Sequence, residues 1–181
     1  SDAVAVLQDF FGLALVPDTC DQKILFIVGP KRSGKGTMAR VLEALVGRDN
    51  VRGPTLSSLG TNFGLEPLIG RSLAIIADAR LGGRPELSVI IERLLSISGG
   101  DTLTIDRKYM PAWSGRLPTR FAILTNELPR FADSSGALPS RLIVLTLTRS
   151  FYGREELVLA DRLLDELPGN LAWGMEGLDP L

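Results

Sequence analysis

The sequence contains no histidine and only one cysteine, Cys20, among its 181 residues. These absences exclude zinc sites built from Cys and His, catalysis by histidine and an internal disulfide. An excess of charge is also lacking, since 20 Lys and Arg residues stand against 21 Asp and Glu residues. The net charge of −1 therefore gives no indication of a broad basic surface for nucleic acid, and any contact with DNA or RNA must be local. The chemistry left to this chain uses carboxylates, lysine, arginine, amides and a bound metal.

The sequence also lacks any apolar run near the roughly 20 residues that a membrane helix needs. Its N-terminus has neither the basic start nor the cleavage pattern of a signal peptide, so we expect a cytoplasmic protein without membrane contact. Hydrophobic residues make up 45% of the chain and charged residues 23%, which is ordinary for one globular domain. A helical apolar pattern begins directly after Ser1, so we expect a domain excised from a longer protein.

A phosphate-binding pattern follows the first strand-like run, Ile24 to Val28. It consists of Gly29, Pro30, Lys31, Arg32, Ser33, Gly34, Lys35, Gly36 and Thr37, which we call the phosphate loop. The glycines let consecutive backbone N–H groups face a polyphosphate, and a helix beginning near Lys35 points its positive end at the same anion. We therefore expect a nucleotide to bind at residues 29–37, with Lys35 reaching the outer phosphates.

The phosphate loop departs from the usual pattern in one position. Ser or Thr normally follows the lysine and holds magnesium, whereas this chain has Gly36 there and the hydroxyl at Thr37. Some nucleotide kinases share this Gly-Lys-Gly-Thr ending. The alternative interpretation is a strand-to-helix turn that binds nothing.

Two further buried strands are predicted to end on polar residues. The apolar run 73–77 ends on Asp78, and the run 121–124 leads to Asn126 and Glu127. At the carboxyl edge of a parallel sheet, with both strands beside the phosphate-loop strand, Asp78 would hold magnesium or activate water, and Asn126 would contact water or the terminal phosphate. The alternatives are a surface aspartate that caps a turn and an asparagine that forms one.

A concentration of positive charge lies between residues 107 and 126. It comprises Arg107, Lys108, Arg116 and Arg120, without an acidic residue before Glu127. With Tyr109 and Trp113, and with residues 111–118 as a loop, this segment suits a hairpin that contacts a nucleic-acid backbone. A solvated charged hairpin is the alternative.

Arg141 directly precedes the last predicted strand, Leu142 to Leu147. An arginine near the edge of the domain can stabilise charge on a phosphate held by a neighbouring subunit. A structural ion pair is the alternative.

The order of these features covers nearly the whole chain: phosphate loop, acid-tipped strand, helix ending in Ser98-Gly99-Gly100-Asp101, basic hairpin, Asn-tipped strand and arginine. This order resembles the superfamily-three helicases, specifically the helicase domain of phage and plasmid primase-helicases and their prophage relatives. The resemblance implies a P-loop NTPase of the AAA+ class, an α/β fold with a mostly parallel central sheet and helices on both faces. It further implies ATP and Mg²⁺ as cofactors and a bacterial host cell as the location.

The resemblance also implies roles for individual residues. Lys35 and Thr37 belong to the nucleotide site, and Asp78 is the metal-binding and water-activating acid. Asn126 is the sensor of the terminal phosphate, and Arg141 is a finger that reaches the next subunit's nucleotide. Arg107, Lys108 and Arg116 contact single-stranded DNA, in a hexameric ring of identical subunits. A primase or replication-initiation module is expected elsewhere in the full-length protein.

We divide the chain into a helical lead-in at residues 1–22, an ATPase and helicase core at 23–150 and a helical segment at 151–181. In the last segment, residues 154–167 predict one amphipathic helix and Asn170 begins another. Two rival functions remain open. A nucleotide or small-molecule kinase would use the phosphate loop alone, and a binding or assembly module would hold ATP without cleaving it.

Overall fold

The computed structural model describes residues 2–17, 21–77, 84–127 and 137–178. Its strands are β1 (Ile24–Val28), β2 (Val51–Arg52), β3 (Leu73–Ile76), β4 (Leu103–Arg107), β5 (Met110–Gly115), β6 (Arg120–Thr125) and β7 (Leu142–Thr146). Its α-helices are α1 (Asp2–Leu15), α2 (Lys35–Val46), α3 (Arg84–Ser98), α4 (Ala137–Arg141), α5 (Leu159–Asp165) and α6 (Leu167–Glu176). Short 3₁₀ turns occupy Arg48–Asn50, Ser57–Gly60 and Glu66–Leu68.

Within these ranges, five strands form a parallel sheet in the order β2-β3-β6-β1-β7. The strand β1 and residues 121–124 of β6 are continuous apolar runs, as expected for strands with both faces covered. Val28 at the end of β1 pairs with Thr125 of β6 on one side and with Thr146 of β7 on the other. The segments that come after these three strands therefore emerge at the same edge of the sheet, which we call the carboxyl edge.

Two layers of helices cover the sheet, and alternate residues of β1 face each layer. Ile24 and Phe26 join a core with Ile90 and Leu94 of α3. Leu25 and Ile27 join a second core, to which α1 contributes Phe10 and Phe11 and α2 contributes Val41 and Leu42. The predicted α/β architecture, a mostly parallel sheet with helices on both faces, is confirmed.

The strand order corrects one expectation about the acid-tipped strand. The strand β3, which precedes Asp78, does not lie beside β1, because β6 is inserted between them. The strand that precedes Asn126 is therefore the direct neighbour of the phosphate-loop strand. Asp78 itself lies outside the described residues.

The β4–β5 hairpin corrects a second expectation. Residues 111–118 were expected to form a loop, but β5 runs from Met110 to Gly115 and pairs antiparallel with β4. Trp113 lies opposite Ile105, and its ring fills the space beside Gly115 that a Cβ atom would occupy. The side chain of Trp113 packs against the core that contains α3.

The chain after β7 is less helical than expected. Residues 147–158, which we call the strap, form no helix, and helical structure begins only at Leu159. The next helix, α6, packs against α1, where Gln8 Nε2 donates to the Trp173 carbonyl oxygen at 2.8 Å. The lead-in and the C-terminal segment thus meet on one face of the core. None of the helices in the described ranges combines the length and apolar character needed to cross a membrane.

Candidate functional site

The phosphate loop connects β1 to α2 at the carboxyl edge. At two of its positions the structure explains why the residue is glycine. A Cβ atom at residue 29 would lie 2.7 Å from the Leu147 carbonyl oxygen, so only glycine fits there without a shift. Gly34 has φ +94°, which is the left-handed region that favours glycine, and its carbonyl oxygen accepts the N–H groups of Thr37 and Met38. The loop is therefore bent sharply just before the first turn of α2.

The ammonium group of Lys35 lies inside this loop. Its Nζ atom is 2.6 Å from the Gly29 carbonyl oxygen and 2.8 Å from that of Pro30. Weaker contacts at 3.3 Å join it to Ser33 Oγ and to Asn126 Oδ1. A compact positive charge is thus held at the mouth of a glycine-bearing turn, which is an arrangement suited to a polyphosphate.

Asn126 reaches Lys35 because β6 lies directly beside β1. The residues are 91 positions apart in the sequence, yet the structure brings their side chains into contact. The chain leaves β6 in a defined direction, since Thr125 Oγ1 donates to the Glu127 carbonyl oxygen at 2.7 Å. Glu127 is exposed beside Asn126. Two of the predicted site residues are therefore adjacent at the carboxyl edge.

The loop also fits magnesium held together with phosphate. Thr37 lies half-buried in the first turn of α2, and a Cβ atom at Gly36 would meet no atom within 4 Å. Among the described residues, no group of three acidic or cysteine side chains assembles a metal site. Mg²⁺ commonly binds through substrate phosphates and only one or two protein side chains, so a magnesium site beside this loop does not require an acidic cluster.

Arg141 lies at the opposite end of the sheet from the phosphate loop. It precedes Leu142, which pairs with Ile24 at the start of β1, whereas the loop follows Val28. A five-residue strand spans about 16 Å, so Arg141 does not reach its own phosphate loop. Its Nη1 atom donates to the Leu95 carbonyl oxygen at 2.5 Å and to Ser98 Oγ at 3.0 Å. These contacts are hydrogen bonds to the end of α3, rather than the ion pair considered from the sequence.

The basic segment places three cations on or beside the β4–β5 hairpin. Arg107 is half-buried, and its Nε atom donates to the Pro111 carbonyl oxygen at 2.9 Å. Lys108 and Arg116 are exposed. Tyr109 at the turn is 95% exposed, and the Lys108 ammonium lies 5.3 Å from its ring centroid. An exposed cation and an exposed aromatic ring at one tip form a surface that suits phosphate contact and base stacking.

Arg120 does not belong to this surface. Its side chain is 2% exposed and forms an ion pair of 3.3 Å with Asp21. The charge pattern grouped Arg120 with the basic residues of the hairpin. In the structure, Arg120 is the first residue of β6, the strand at the centre of the sheet. The basic tip is therefore smaller than the sequence suggested.

The sequence patterns did not predict two features near the site, namely the contact of Glu66 with the hairpin and the contact of the strap with the phosphate loop. The Glu66 carboxylate accepts the backbone N–H of Lys108 at 3.2 Å and so fixes the hairpin turn. The strap borders the phosphate loop, with Arg32 Nε 3.4 Å from Glu155 Oε1. The aromatic pair Phe151-Tyr152 in an otherwise charged stretch was the available signal for the strap. No local pattern distinguished Glu66.

Comparison with known proteins gives a family and a fold. The family model DUF5906, described as a family of unknown function, matches residues 27–141. An apo structure of the NrS-1 C-terminal region aligns with a TM-score of 0.71 at 16% identity, covering 97% of this chain and 45% of that chain. A second, A-form apo structure of that region gives 0.70 at 17%, covering 96% and 44%. A JCV helicase with a bound acetamide compound gives 0.51 at 20%, covering 98% and 53%.

At these identities the likeness shows the fold, which is that of helicase P-loop NTPase domains. The predicted resemblance to helicase domains is thereby confirmed at the level of structure. The chain spans about half the length of the structures that it matches.

Proposed function

The chain belongs to DUF5906, a family of unknown function, and we propose that it is the ATP-dependent motor domain of a DNA helicase of the superfamily-three, AAA+ type. It would bind ATP with Mg²⁺, hydrolyse ATP and use the energy to move along single-stranded DNA. The setting would be replication of a phage, prophage or plasmid in the bacterial cytoplasm. A primase or initiation module would reside elsewhere in the full-length protein.

One observation carries this proposal. Lys35 Nζ and Asn126 Oδ1 lie 3.3 Å apart at the carboxyl edge, in the segments that follow two adjacent parallel strands. A nucleotide triphosphatase needs a cation for the outer phosphates and a polar group that senses the terminal phosphate or orients water. The presence of both groups beside the loop supports this proposal over a turn that binds nothing.

The proposed chemistry begins with the triphosphate in the phosphate loop. Lys35 would leave its carbonyl contacts and bind the outer phosphates, while the backbone N–H groups at the start of α2 face the chain of phosphates. Thr37 and Asp78 would hold Mg²⁺, which neutralises negative charge on the phosphates when bound. Asn126 and Asp78 would position a water for in-line attack, which breaks the terminal phosphoanhydride bond to give ADP and phosphate.

Arg141 supports an assembled, ring-shaped motor because it cannot serve its own nucleotide. It lies at the amino edge of the sheet, where the hairpin also joins the core between α3 and β6. In a head-to-tail ring of identical subunits, a second subunit would supply the site with Arg141. The same arrangement would bring the hairpins toward a central channel, where Arg107, Lys108 and Arg116 contact the DNA backbone.

The proposal is tested by measuring ATP hydrolysis with and without a single-stranded oligonucleotide, together with the oligomer mass of the same sample. We expect DNA to stimulate hydrolysis and the stimulation to fall as salt is raised. Lys35→Ala should abolish ATP binding, and Asn126→Ala should keep ATP binding but lower turnover about 10²- to 10³-fold. Lys23→Ala, which removes a lysine that contacts the Ser140 carbonyl oxygen at the opposite edge, is the matched control and should change neither.

Two outcomes would replace the proposal with its rivals. Transfer of the terminal phosphate to an added nucleoside, without a response to DNA, would identify a kinase. Tight ATP binding without turnover in an assembled, DNA-containing sample would identify a binding or assembly module.

A further inference from the structure

A cavity of about 410 Å³ lies beside the phosphate loop, and the proposed hydrolysis of the triphosphate does not account for it. Gly34 and Thr37, at the start of α2, line one side of it. The strap and the start of α5, from Phe151 to Ala160, line the other side. Its volume lies within the range of about 300–1,000 Å³ that is typical of small-molecule sites.

Three hydrogen bonds and an ion pair fix the strap against the phosphate loop. The Leu147 N–H donates to the Val28 carbonyl oxygen at 2.7 Å. The Ser150 hydroxyl and the Phe151 N–H donate to two loop carbonyls, those of Lys31 and Arg32, each at 2.9 Å. Arg32 in turn pairs with Glu155 at 3.4 Å. The cavity is therefore a preformed space whose two walls are tied to each other.

The lining combines three features that favour a ligand, namely an aromatic ring, apolar side chains and cations, with the carboxylates of Glu155 and Glu156. Phe151 is 43% exposed, and the Arg149 guanidinium lies 5.9 Å from its ring centroid, which restricts the orientation of the ring. Leu157 and Leu159 add apolar surface. Arg40 and Arg154 add positive charge beyond that of Arg32. A flat heteroaromatic group attached to an anion satisfies all three features, because it stacks on the ring while the anion faces the guanidinium groups.

We propose that this cavity holds the nucleoside half of the triphosphate, with the base stacked on Phe151 and the ribose between the strap and the first turn of α2. This inference rests on the proposed function, since it assigns the base to one side of the same phosphate loop. It adds a specific claim, namely that residues beyond β7 build half of the nucleotide site. Two carboxylates of the lining are paired with arginines, Glu155 with Arg32 and Glu156 with Arg162 at 2.6 Å, which offsets their negative charge beside the phosphates.

The test separates base binding from phosphate binding by titrating the protein with Mg-ATP and, separately, with inorganic tripolyphosphate and Mg²⁺. Phe151→Ala should weaken ATP binding about tenfold or more, as loss of base stacking does, and leave tripolyphosphate binding unchanged. Phe151→Trp should restore ATP binding. Tyr152→Ala removes a neighbouring aromatic that is 78% exposed and does not line the cavity, and it should change neither affinity.

The outcomes distinguish this inference from the proposed function. Wild-type protein that binds ATP with an affinity unaffected by Phe151→Ala overturns the inference and leaves the proposed function standing. Equal weakening of ATP and tripolyphosphate also overturns it, because the ring would then support the loop and not the base. Wild-type protein that binds neither ligand overturns both.

Discussion

The Arg141 guanidinium and the Ser98 hydroxyl are in direct contact, with Nη1 3.0 Å from Oγ. This contact joins the start of β7 to the last turn of α3. Ser98 is followed by Gly99, Gly100 and Asp101, and β4 of the hairpin begins at Leu103. Arg141 is thus linked through a few residues to the hairpin that carries the basic tip, and a displacement of its guanidinium would act on the base of that hairpin.

Gly99→Ala should disturb the contact between Arg141 and α3 although neither Arg141 nor Ser98 is replaced. A Cβ atom at residue 99 would lie 3.0 Å from the Leu95 carbonyl oxygen and 3.1 Å from Arg141 Nη1. We expect Gly99→Ala and Arg141→Ala each to lower the free energy of unfolding by about 1–2 kcal/mol. In the double variant the losses should overlap by about 1 kcal/mol, because both remove the same interaction.

Urea denaturation of the two single variants and the double variant measures this overlap. Gly169→Ala is the control, since a Cβ atom there meets nothing within 4 Å. Strictly additive losses would show that Gly99 and Arg141 stabilise the chain independently.

Mixing two inactive variants tests whether Arg141 acts on the neighbouring subunit. Lys35→Ala subunits lack a competent phosphate loop but still present Arg141, whereas Arg141→Ala subunits have the opposite defect. Each alone should show almost no DNA-stimulated ATP hydrolysis. In an equimolar ring, about a quarter of the head-to-tail interfaces combine the intact halves, so a comparable fraction of the activity should return.

The control mixes Arg141→Ala subunits with subunits that carry both substitutions, because no intact interface can form in that mixture. Activity of Arg141→Ala subunits alone at the wild-type rate would restrict Arg141 to its structural contact with α3.

Gly34 and Gly36 provide a matched pair that isolates backbone conformation from packing. A Cβ atom at either position meets no heavy atom within 4 Å, but only Gly34 has a positive φ, +94°. Gly34→Ala should therefore lower the free energy of unfolding by about 1–2 kcal/mol. Gly36→Ala should raise it by about 0.5–1 kcal/mol, because alanine loses less conformational entropy in a helix.

Thermal unfolding checks this pair, with about 2–4 °C expected for each kcal/mol in a chain of this size. Shifts of the same sign for both variants would mean that the turn before α2 is not the one described.

Lys108 and Arg120 should separate DNA contact from stability, although both are basic residues of the same segment. Lys108→Ala removes an exposed charge at the hairpin tip, so affinity for single-stranded DNA should fall and the salt dependence should decrease by about 0.7 in slope. Its melting temperature should not change. Arg120→Ala removes a buried side chain that pairs with the partly exposed carboxylate of Asp21, and the lost packing and ion pair should cost about 2 kcal/mol of stability.

Fluorescence anisotropy of a labelled oligonucleotide at several salt concentrations, with melting curves of the same samples, provides both readouts. Normal stability of Arg120→Ala, together with a reduced salt dependence of its DNA affinity, would show that Arg120 contacts DNA.

The meeting of Lys35 and Asn126 was accessible from the sequence because it depends on a simple rule. Continuous apolar runs predict buried parallel strands, and the ends of such strands share one edge. The order of the strands within the sheet is not encoded in the runs themselves. The strands β1 and β3 were predicted to be neighbours, but β6 lies between them. This order arises from the long-range packing of whole helices and strands.

The hairpin shows a different limit. Pro111 and Gly115 resembled loop residues, yet a two-stranded ribbon tolerates proline because its outer N–H groups need no partner. Gly115 is required there by the ring of Trp113, which covers it. The burial of Arg120 was likewise invisible to a count of charges, since such a count does not tell which side chain meets Asp21.

The strap ties the nucleotide-binding turn to the terminal helices of the chain. The Phe151 N–H donates to the Arg32 carbonyl oxygen and so holds the strap, which continues into α5 and α6. The helix α6 packs against α1 through Gln8. Because of these contacts, the phosphate loop and the strap move together. Ligand binding that displaces the phosphate loop would therefore also displace α5, α6 and α1. A molecule in contact with those helices would then respond to the occupancy of the loop.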